Sequence, residues 1–259
     1  MDRNEGFHVA ALAGLPLFTP GMNVAQAIAD AARQQGTALA DGDVIVVAQK
    51  IVSKSEGRLV CLGDVAIGDE AARMAEATGR PAGLTQLILD ESSAVLRATP
   101  AAIISRHRTG HVLANAGIDA SNVEGGDAGT VLLWPRDPDA SARLIRDELA
   151  ALTGCHPAVV IADSLGRAWR VGTLGTAIGC AGLAVLEDRR GQQDMFGRTL
   201  QATVIAVADA VAAAAVLVMG EGAEGTPVAV VRGAGKWVTA EHGPGMAPGL
   251  RPVEQDMFQ

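Results

Sequence analysis

Apolar and polar positions along the chain predict a mixture of helices and strands. Residues 23–40 carry apolar side chains at helical spacing, and Asn23 suits the start of that helix because its side chain can accept a hydrogen bond from a free N–H group. Residues 44–48 are apolar at every position, which is typical of a strand buried on both faces. Residues 158–162 and 227–232 have the same character and predict two further strands.

The remaining pattern favours an α+β fold over a doubly wound sheet. Helices are predicted at 68–78, 83–98 and 137–153, and short strands at 101–105, 111–116 and 130–134. Residues 172–186 are rich in Gly and Ala and do not distinguish helix from strand. Helices and strands therefore mix without the regular alternation that a parallel sheet requires.

Composition excludes several classes of protein. With 49% hydrophobic and 19% charged residues in 259, the chain can build a core and is not intrinsically disordered. The net charge of −8 makes it a poor general binder of nucleic acid, because phosphate backbones require clustered positive charge. Three Trp, four Phe and no Tyr leave few rings on which bases could stack.

Cysteine usage and the N-terminal residues predict a cytoplasmic protein. Cys61, Cys155 and Cys180 are odd in number and widely spaced, which fits neither a disulfide framework nor a metal site. The first residues lack the pattern of a signal peptide. Residues 202–219 approach the length of a membrane span, but Asp209 interrupts them, so we expect a buried helix or a strand and helix instead.

A glycine-rich loop at residues 220–225 matches G-x-G-x-x-G without being a dinucleotide site. That fingerprint lies between a strand and a helix, whereas here an apolar helical segment enters and a strand leaves. Glu221 and Glu224 would also repel a pyrophosphate. The carboxylates suit a divalent metal that bridges phosphates, although an exposed acidic turn explains the same residues.

Two further acidic groups follow apolar segments. Asp119, Asn122 and Glu124 form one polar cluster, and Asp163 with Ser164 follows the predicted strand at 158–162. Carboxylate and hydroxyl oxygens are suitable ligands for a hard cation. Each group alone is also explained by turn formation or capping.

A basic stretch follows the predicted strand at residues 44–48. Lys50, Ser53, Lys54 and Arg58 could bind phosphate oxygens, or could be an ordinary solvated loop. The chain has only one other lysine and no Walker A motif.

Two histidines in the chain have a spacing that resembles a metal site. His107 and His111 are four residues apart, but Thr109 and Gly110 disfavour a helix between them, so we do not expect them to bind a metal.

Taken together, these segments resemble the coenzyme F420:L-glutamate ligase family from about residue 9 to 237. The resemblance is carried by Gly14-Leu15-Pro16, by residues 49–58, and by the long stretch 115–124 (NAGIDASNVE). Asp163-Ser164-Leu165-Gly166-Arg167, Ala177-Ile178-Gly179 and Met219-Gly220-Glu221-Gly222 complete it.

The resemblance implies an enzyme that uses GTP to add L-glutamate in γ-linkage to coenzyme F420-0 through an acyl phosphate, releasing GDP and phosphate. It also implies two Mn²⁺ or Mg²⁺ ions, K⁺, and a homodimer of two intertwined subdomains. We accordingly expect a ligase domain at residues 1–240 and a Pro/Gly-rich tail at 241–259. In some bacterial relatives a flavin-binding domain follows, and residues 251–258 resemble its beginning.

The resemblance also implies roles for individual residues. Catalytic roles fall on Lys54, Asp119 and Asp163, and metal ligation on Asp119, Asp163, Ser164 and Glu221. The residues implied to bind GTP are Ala13, Gly14, Leu15, Pro16, Ser53, Lys54, Asn122, Met219, Gly220, Gly222, Ala223, Glu224, Gly225 and Thr226.

The chain departs from the family pattern at two of these positions. Ser164-Leu165 stands where many relatives have Thr-Asn, and Ala223-Glu224 where they often have Gly-Asp, which leaves the roles of Leu165 and Glu224 open. A metal-dependent phosphohydrolase and a non-catalytic nucleotide- or coenzyme-binding module are the alternative functions for the same residues.

Overall fold

The computed structural model describes residues 6–256, so the end of the 251–258 segment lies outside the described residues. The helices are α1 (Val24–Gln34), α2 (Gln49–Ser55), α3 (Asp69–Thr78), α4 (Ala82–Asp90), α5 (Pro138–Thr153) and α6 (Val207–Met219). The strands are β1 (His8–Ala11), β2 (Val44–Ala48), β3 (Leu59–Cys61), β4 (Ser92–Ala98), β5 (Ile103–His107), β6 (Val112–Ala114), β7 (Thr130–Leu132), β8 (Ala158–Gly166), β9 (Thr173–Ala181), β10 (Leu186–Asp188), β11 (Val204–Ala206) and β12 (Val228–Arg232).

The largest sheet has five strands in the order β1-β12-β2-β8-β9. Its strands pair antiparallel except β2 and β8, which run parallel with Ala48 opposite Ala162. Because parallel neighbours end at the same edge of a sheet, the segments that follow β2 and β8 are brought side by side. This pair of strand ends is where the site described below is built.

Both faces of this sheet are covered, as the apolar run of β2 predicts. Ile45 and Val47 pack into a core that includes residues of α1 and α5, whereas Val44 and Val46 pack into a second core that includes residues of α6. Alternate side chains of a strand point to opposite faces, so a strand between two helical layers must be apolar throughout.

A smaller unit with its own core is inserted between α2 and α5. It contains β3 to β7 with α3 and α4, and its core joins Leu87 and Ile88 of α4 to strand residues such as Ile103 and Val131. The mixed α+β class is therefore confirmed. The intertwined homodimer and the domain boundary at residue 240 remain predictions.

Several predicted elements are confirmed with their ends. Asn23 caps α1 by accepting from the Gln26 N–H at 2.7 Å, and Asp137 caps α5 in the same way. Residues 202–219 form β11 followed by α6. None of the helices in residues 6–256 has the length and apolar character needed to cross a membrane.

Two helix predictions are wrong at their C-terminal ends. The helix predicted at 23–40 ends at Gln34, and Gly36 follows it with a left-handed φ of 70°. The helix predicted at 83–98 ends at Asp90, after which Ser92–Ala98 forms β4 and pairs with β5. Strand pairing here outweighs the local helical pattern, as tertiary context commonly does.

The C-terminal segment packs on α5. Asp139 accepts hydrogen bonds from the Met246 N–H, and the buried Arg146 donates to the Thr239 carbonyl at 2.6 Å. Burial, partly offset by hydrogen bonds from Cys180 and Met246, raises the pKa of Asp139.

Candidate active site

A cavity of about 590 Å³ lies where β2 and β8 end side by side. Five stretches of the chain supply most of its lining, with Thr173 and Val216 completing it. These stretches contribute Leu15, Pro16, Leu17 and Phe18; Ala48, Gln49, Lys50, Ile51 and Lys54; Ala114, Gly117, Ile118, Asp119, Ser121 and Asn122; Ala162, Asp163, Ser164, Leu165 and Gly166; and Met219 to Pro227.

Helix α2 directs two lysines into this cavity. Lys50 and Lys54 are four residues apart and therefore share one face of the helix. The Lys50 ammonium donates to the Asp119 carboxylate and, at 2.6 Å, to Ser121 Oγ, and Lys54 Nζ donates to the Asn122 carbonyl at 2.7 Å. The two lysines thus hold the loop at residues 119–122 against α2.

The pKa values of Asp119 and Lys54 are both shifted at this site. Burial alone would raise the pKa of Asp119, but hydrogen bonds from Lys50 and Ser121 outweigh it and lower that pKa. Burial, together with the nearby charge of Lys50, lowers the pKa of Lys54. Asp119 is therefore held as a carboxylate beside a cation.

At the end of β8, Asp163 is fixed by two donors. Its Oδ2 accepts from Trp134 Nε1 at 2.7 Å, and its Oδ1 accepts from the Ser164 N–H at 2.8 Å. Burial raises the pKa of Asp163 to about 6, and these hydrogen bonds oppose that shift only in part. The charge of Asp119 acts in the same direction as burial, so the two carboxylates face a common region.

Trp134, the donor to Asp163, is itself held rigidly. Its ring is fully buried and packs against the rings of His107 and His111, with centroids 4.9 and 5.5 Å away. Gly117, at a φ of 73°, lies directly against the indole and leaves no room for a Cβ.

The loop between α6 and β12 closes the opposite side of the cavity. Ser164 Oγ donates to the Glu221 carboxylate at 2.6 Å, and Asn122 Nδ2 donates to the Gly222 carbonyl at 3.1 Å. Glu224 folds back to accept from the Gly222 N–H at 2.7 Å. Since helix α6 precedes this loop and a strand follows it, the rejection of a dinucleotide fingerprint is confirmed.

Most of the residues singled out from the sequence meet in this cavity. Asp119, Asp163, Ser164, Glu221, Leu15, Pro16, Lys54, Asn122, Met219, Gly220, Gly222, Ala223, Glu224, Gly225 and Thr226 all line it. Ala13, Gly14 and Ser53 do not; Ser53 is fully buried and its hydroxyl accepts from Gln49 Nε2 at 2.7 Å. The roles of all these residues toward GTP or metal remain predictions.

Arg58, a candidate phosphate ligand in the sequence, lies outside the cavity. Its side chain is buried, donates to the Trp134 carbonyl at 2.8 Å and pairs with Glu91 at 2.9 Å. The positive charge of Arg58 is therefore neutralised by Glu91 of the inserted unit.

Two residues at the site were not assigned a role by the family resemblance. Lys50 belongs to the basic stretch already noted, and its helical spacing from Lys54 is the signal that could have placed it in the cavity. Trp134 is 29 residues from Asp163 in the chain, and no sequence pattern links them.

The acidic residues suit a hard divalent cation only when other ligands complete the site. Among residues 6–256, no group of three or more His, Cys, Asp and Glu side chains is close enough to hold a metal by itself. Asp119, Asp163 and Glu221 nevertheless present carboxylate oxygens to one cavity, and a cation would offset the burial of Asp163. Mg²⁺ and Mn²⁺ commonly take one or two carboxylates and complete their shell with phosphate oxygens and water.

Lysine ammonium groups can bind phosphate oxygens, and carboxylates can hold the divalent cations that accompany phosphates. Comparison with known proteins identifies the family: the model of the F420-0:Gamma-glutamyl ligase family matches residues 14–233. The chain belongs to this family.

Similar proteins cover almost the whole chain. The coenzyme F420:L-glutamate ligase of Methanothermobacter thermautotrophicus is 44% identical over 254 residues, which are 98% of this chain and 99% of that protein. The proteins of the same name from Methanopyrus kandleri and Archaeoglobus fulgidus are 40% and 43% identical. They are matched over 93% and 85% of this chain, and over 92% and 85% of their own lengths.

Proposed function

We propose that this chain is a GTP-dependent ligase that joins the amine of L-glutamate to a carboxylate of coenzyme F420-0 as an amide, with γ-linkage for any further glutamate. The observation that carries the proposal is the single cavity into which Lys50, Lys54, Asp119, Asp163 and Glu221 converge in a member of this family. Relatives named for this activity align over nearly the whole chain, so the cavity lies within the shared sequence.

The proposed reaction has two balanced steps. A carboxylate oxygen of F420-0 attacks the γ-phosphorus of GTP, the bond to the β–γ bridging oxygen breaks, and GDP leaves with that electron pair. The glutamate amine then attacks the acyl phosphate carbonyl, the C–N bond forms, the C–O bond to phosphate breaks, and the amine loses a proton. Neither step requires a side-chain nucleophile, so positioning and charge neutralisation are the main demands on the protein.

The chain's own residues meet these demands from two sides. Lys54 and the backbone of residues 219–226 would hold the nucleotide phosphates; both line the cavity, and Asn122 ties the loop to α2. Lys50 adds positive charge beside Asp119. Asp119, Asp163, Ser164 and Glu221 would hold Mn²⁺ or Mg²⁺, which when bound neutralises the phosphate charge that develops during transfer.

A homodimer, the ion requirements and a cytoplasmic location are also proposed. Met195, Phe196 and Leu217 are large apolar side chains at least 83% exposed, which is consistent with a surface covered by a second copy of the chain. A K⁺ requirement and two divalent ions per site come from the family resemblance alone. A cytoplasmic location comes from that resemblance together with the three free cysteines.

The test is an incubation of the purified chain with F420-0, L-glutamate, GTP and Mn²⁺, followed by mass spectrometry of the coenzyme. We expect a mass gain of one glutamate residue and one GDP per residue added, and neither when glutamate or GTP is omitted. Phosphate release without glutamate incorporation would support the phosphohydrolase instead. Nucleotide binding without any turnover would support a binding module.

A further inference from the structure

The residues assigned so far account for the nucleotide and the cations, but none holds the acceptor whose carboxylate is activated. The nucleotide side of the cavity is formed by α2 and by the loop at residues 219–226. The acceptor carboxylate has to reach the same point, beside Asp119 and Asp163, from a different direction. The end of β8 forms another side of the cavity.

Strand β8 leads from the acidic residues to the rim of the cavity. Asp163, Ser164, Leu165 and Gly166 all line the cavity, and Thr173, at the start of β9, lines it as well. Three residues of extended strand cover roughly 10 Å, so Gly166 lies about that far from Asp163. The connection between β8 and β9, residues 167–172, therefore projects from the rim.

This connection presents an aromatic ring to solvent. Trp169 is 90% exposed, whereas Trp134 is fully buried and Trp237 bonds through its Nε1 to Glu187 at 2.6 Å. The backbone of Trp169 also has a φ of 62°, in the left-handed region that residues other than glycine seldom adopt. Such conformations concentrate at sites of function, because the rest of the fold must hold them.

Two arginines lie within two positions of Trp169 in the sequence. Arg167 and Arg170 are exposed, and within the described part of the chain neither guanidinium forms an ion pair with a carboxylate. The Arg167 guanidinium donates to the Val171 carbonyl at 3.3 Å. In a protein of net charge −8, an exposed indole with two such arginines in the same loop matches a flat conjugated ring with an anionic tail.

We propose that residues 167–171 bind the acceptor coenzyme. Trp169 stacks on the deazaflavin ring, and Arg167 and Arg170 bind the anionic tail, which runs along the end of β8 toward Asp163. This inference rests on the proposed function and adds to it the site of the second substrate. A second copy of the chain is the other candidate occupant, but two arginines with no acidic partner at the loop favour a small anion.

Kinetics of matched variants test the proposal. Stacking of a conjugated ring on an aromatic side chain is worth about 1–3 kcal/mol by alanine substitution, so Trp169→Ala should raise the KM for F420-0 roughly 10- to 100-fold. The KM for GTP and kcat at saturating coenzyme should stay within about twofold, because the nucleotide side is untouched. Phe7→Ala, which removes a half-exposed ring (49%) that does not line the cavity, should change none of these constants.

The arginines are tested by the double variant Arg167→Ala/Arg170→Ala. It should raise the KM for F420-0 and weaken the salt dependence of that KM, because exposed ion pairs are screened by salt. An unchanged KM for F420-0 in both this variant and Trp169→Ala would overturn the proposal.

A direct binding measurement tests this inference independently of the proposed ligase activity. Oxidised F420-0 titrated into the wild-type chain should quench the indole fluorescence, and Trp169→Phe should bind it nearly as well with most of the quenching lost. Equal quenching in Trp169→Phe would overturn the site even if the ligase reaction is confirmed. If the wild type makes no product, the proposed function fails and this titration still decides the binding site.

Sedimentation of the same variants completes the experiment. The proposal expects Trp169→Ala to keep the oligomeric state of the wild type. If this variant dissociates while its affinity for F420-0 is unchanged, residues 167–171 are an interface between copies and the proposal is wrong.

Discussion

The inner side of the cavity and its outer side, the loop of residues 167–172 between the lining residues Gly166 and Thr173, are built on opposite principles. On the inner side, charged groups are already bonded within the protein: Lys50 to Asp119, Ser164 to Glu221, and Trp134 to Asp163. On the outer side, at residues 167–172, the indole of Trp169 is exposed. Preorganised charges stabilise a transition state without reorganisation, whereas an exposed platform adapts to a ligand.

The inner side also has a buried polar support that the outer side lacks. Glu91 is 5% exposed and accepts from Arg58 and Arg108, with His107 Nε2 3.4 Å away. Arg58 in turn donates to the carbonyl of Trp134, the residue that fixes Asp163. We therefore expect substitutions on the inner side to change the rate of reaction, and those on the outer side to change coenzyme affinity.

The largest effect is expected from the carboxylates of the inner side. Asp163→Asn or Asp119→Asn removes a charge proposed to hold a divalent cation, an interaction worth several kcal/mol, so ligase activity should fall on the order of a thousandfold or more. The unfolding temperature should change little if the loss is chemical. Wild-type activity in either variant would contradict the metal assignment.

The next effect concerns stability and comes from Glu91. Burial alone would raise the pKa of Glu91, but His107, Arg58 and Arg108 together lower it from 4.5 to about 2. Because its pKa is lowered in the folded state, the Glu91 carboxylate stabilises the fold at pH values above the unfolded pKa of 4.5. This stabilisation is lost as the pH falls toward 2. The contribution is about 3 kcal/mol, from the energy per unit of pKa shift.

Chemical denaturation at several pH values checks this dependence. The difference in unfolding free energy between the wild type and Glu91→Gln should be largest above pH 4.5 and shrink as the pH approaches 2. A difference that is constant over that range would rule out the ion cluster as its source.

Lys54→Ala should weaken nucleotide binding more than coenzyme binding. A hydrogen bond to a charged group contributes about 1.5–3 kcal/mol, which corresponds to a loss of roughly 10- to 100-fold in GTP affinity. Calorimetric titration with GTP and with F420-0 measures both constants on one preparation. An equal loss of affinity for GTP and for F420-0 would contradict the assignment of Lys54 to the nucleotide.

The smallest effect is expected where only the orientation of Asp163 changes. Trp134→Phe keeps a buried ring and removes the 2.7 Å bond to Asp163. Loss of a hydrogen bond that orients a metal ligand costs roughly 10- to 100-fold in metal affinity, and we expect the lower end because the Ser164 N–H still holds the carboxylate.

Trp237→Phe provides a matched control for that variant. It removes an indole bond to a carboxylate of similar length, 2.6 Å to Glu187, away from the cavity. Mn²⁺ binding measured by electron paramagnetic resonance should weaken in Trp134→Phe and not in Trp237→Phe. The same affinity in both variants would show that Trp134 does not position Asp163.

Sequence reasoning succeeded where a feature is local to one segment. The apolar run of β2, the cap at Asn23 and the order of helix and strand around residues 220–225 each depend on neighbours along the chain. The acidic and basic groups of the inner side could also be named from their types and from the family resemblance.

What could not be predicted depends on contacts between distant segments. That β2 and β8 are parallel neighbours is a property of the whole sheet, and it is what brings α2, with Lys50, beside the end of β8, with Asp163. The bond from Trp134 to Asp163 and the change from helix to strand at Ser92 likewise arise from tertiary packing.

The most direct test of the central claim follows oxygen from the coenzyme to the phosphate. F420-0 carrying heavy oxygen in its terminal carboxylate is incubated with the chain, GTP, L-glutamate and Mn²⁺, and the released phosphate and the coenzyme are analysed by mass spectrometry. An acyl phosphate mechanism predicts one labelled oxygen in the phosphate and one retained in the amide. Unlabelled phosphate, with no glutamate added to the coenzyme, would contradict the assignment of this cavity as a ligase site.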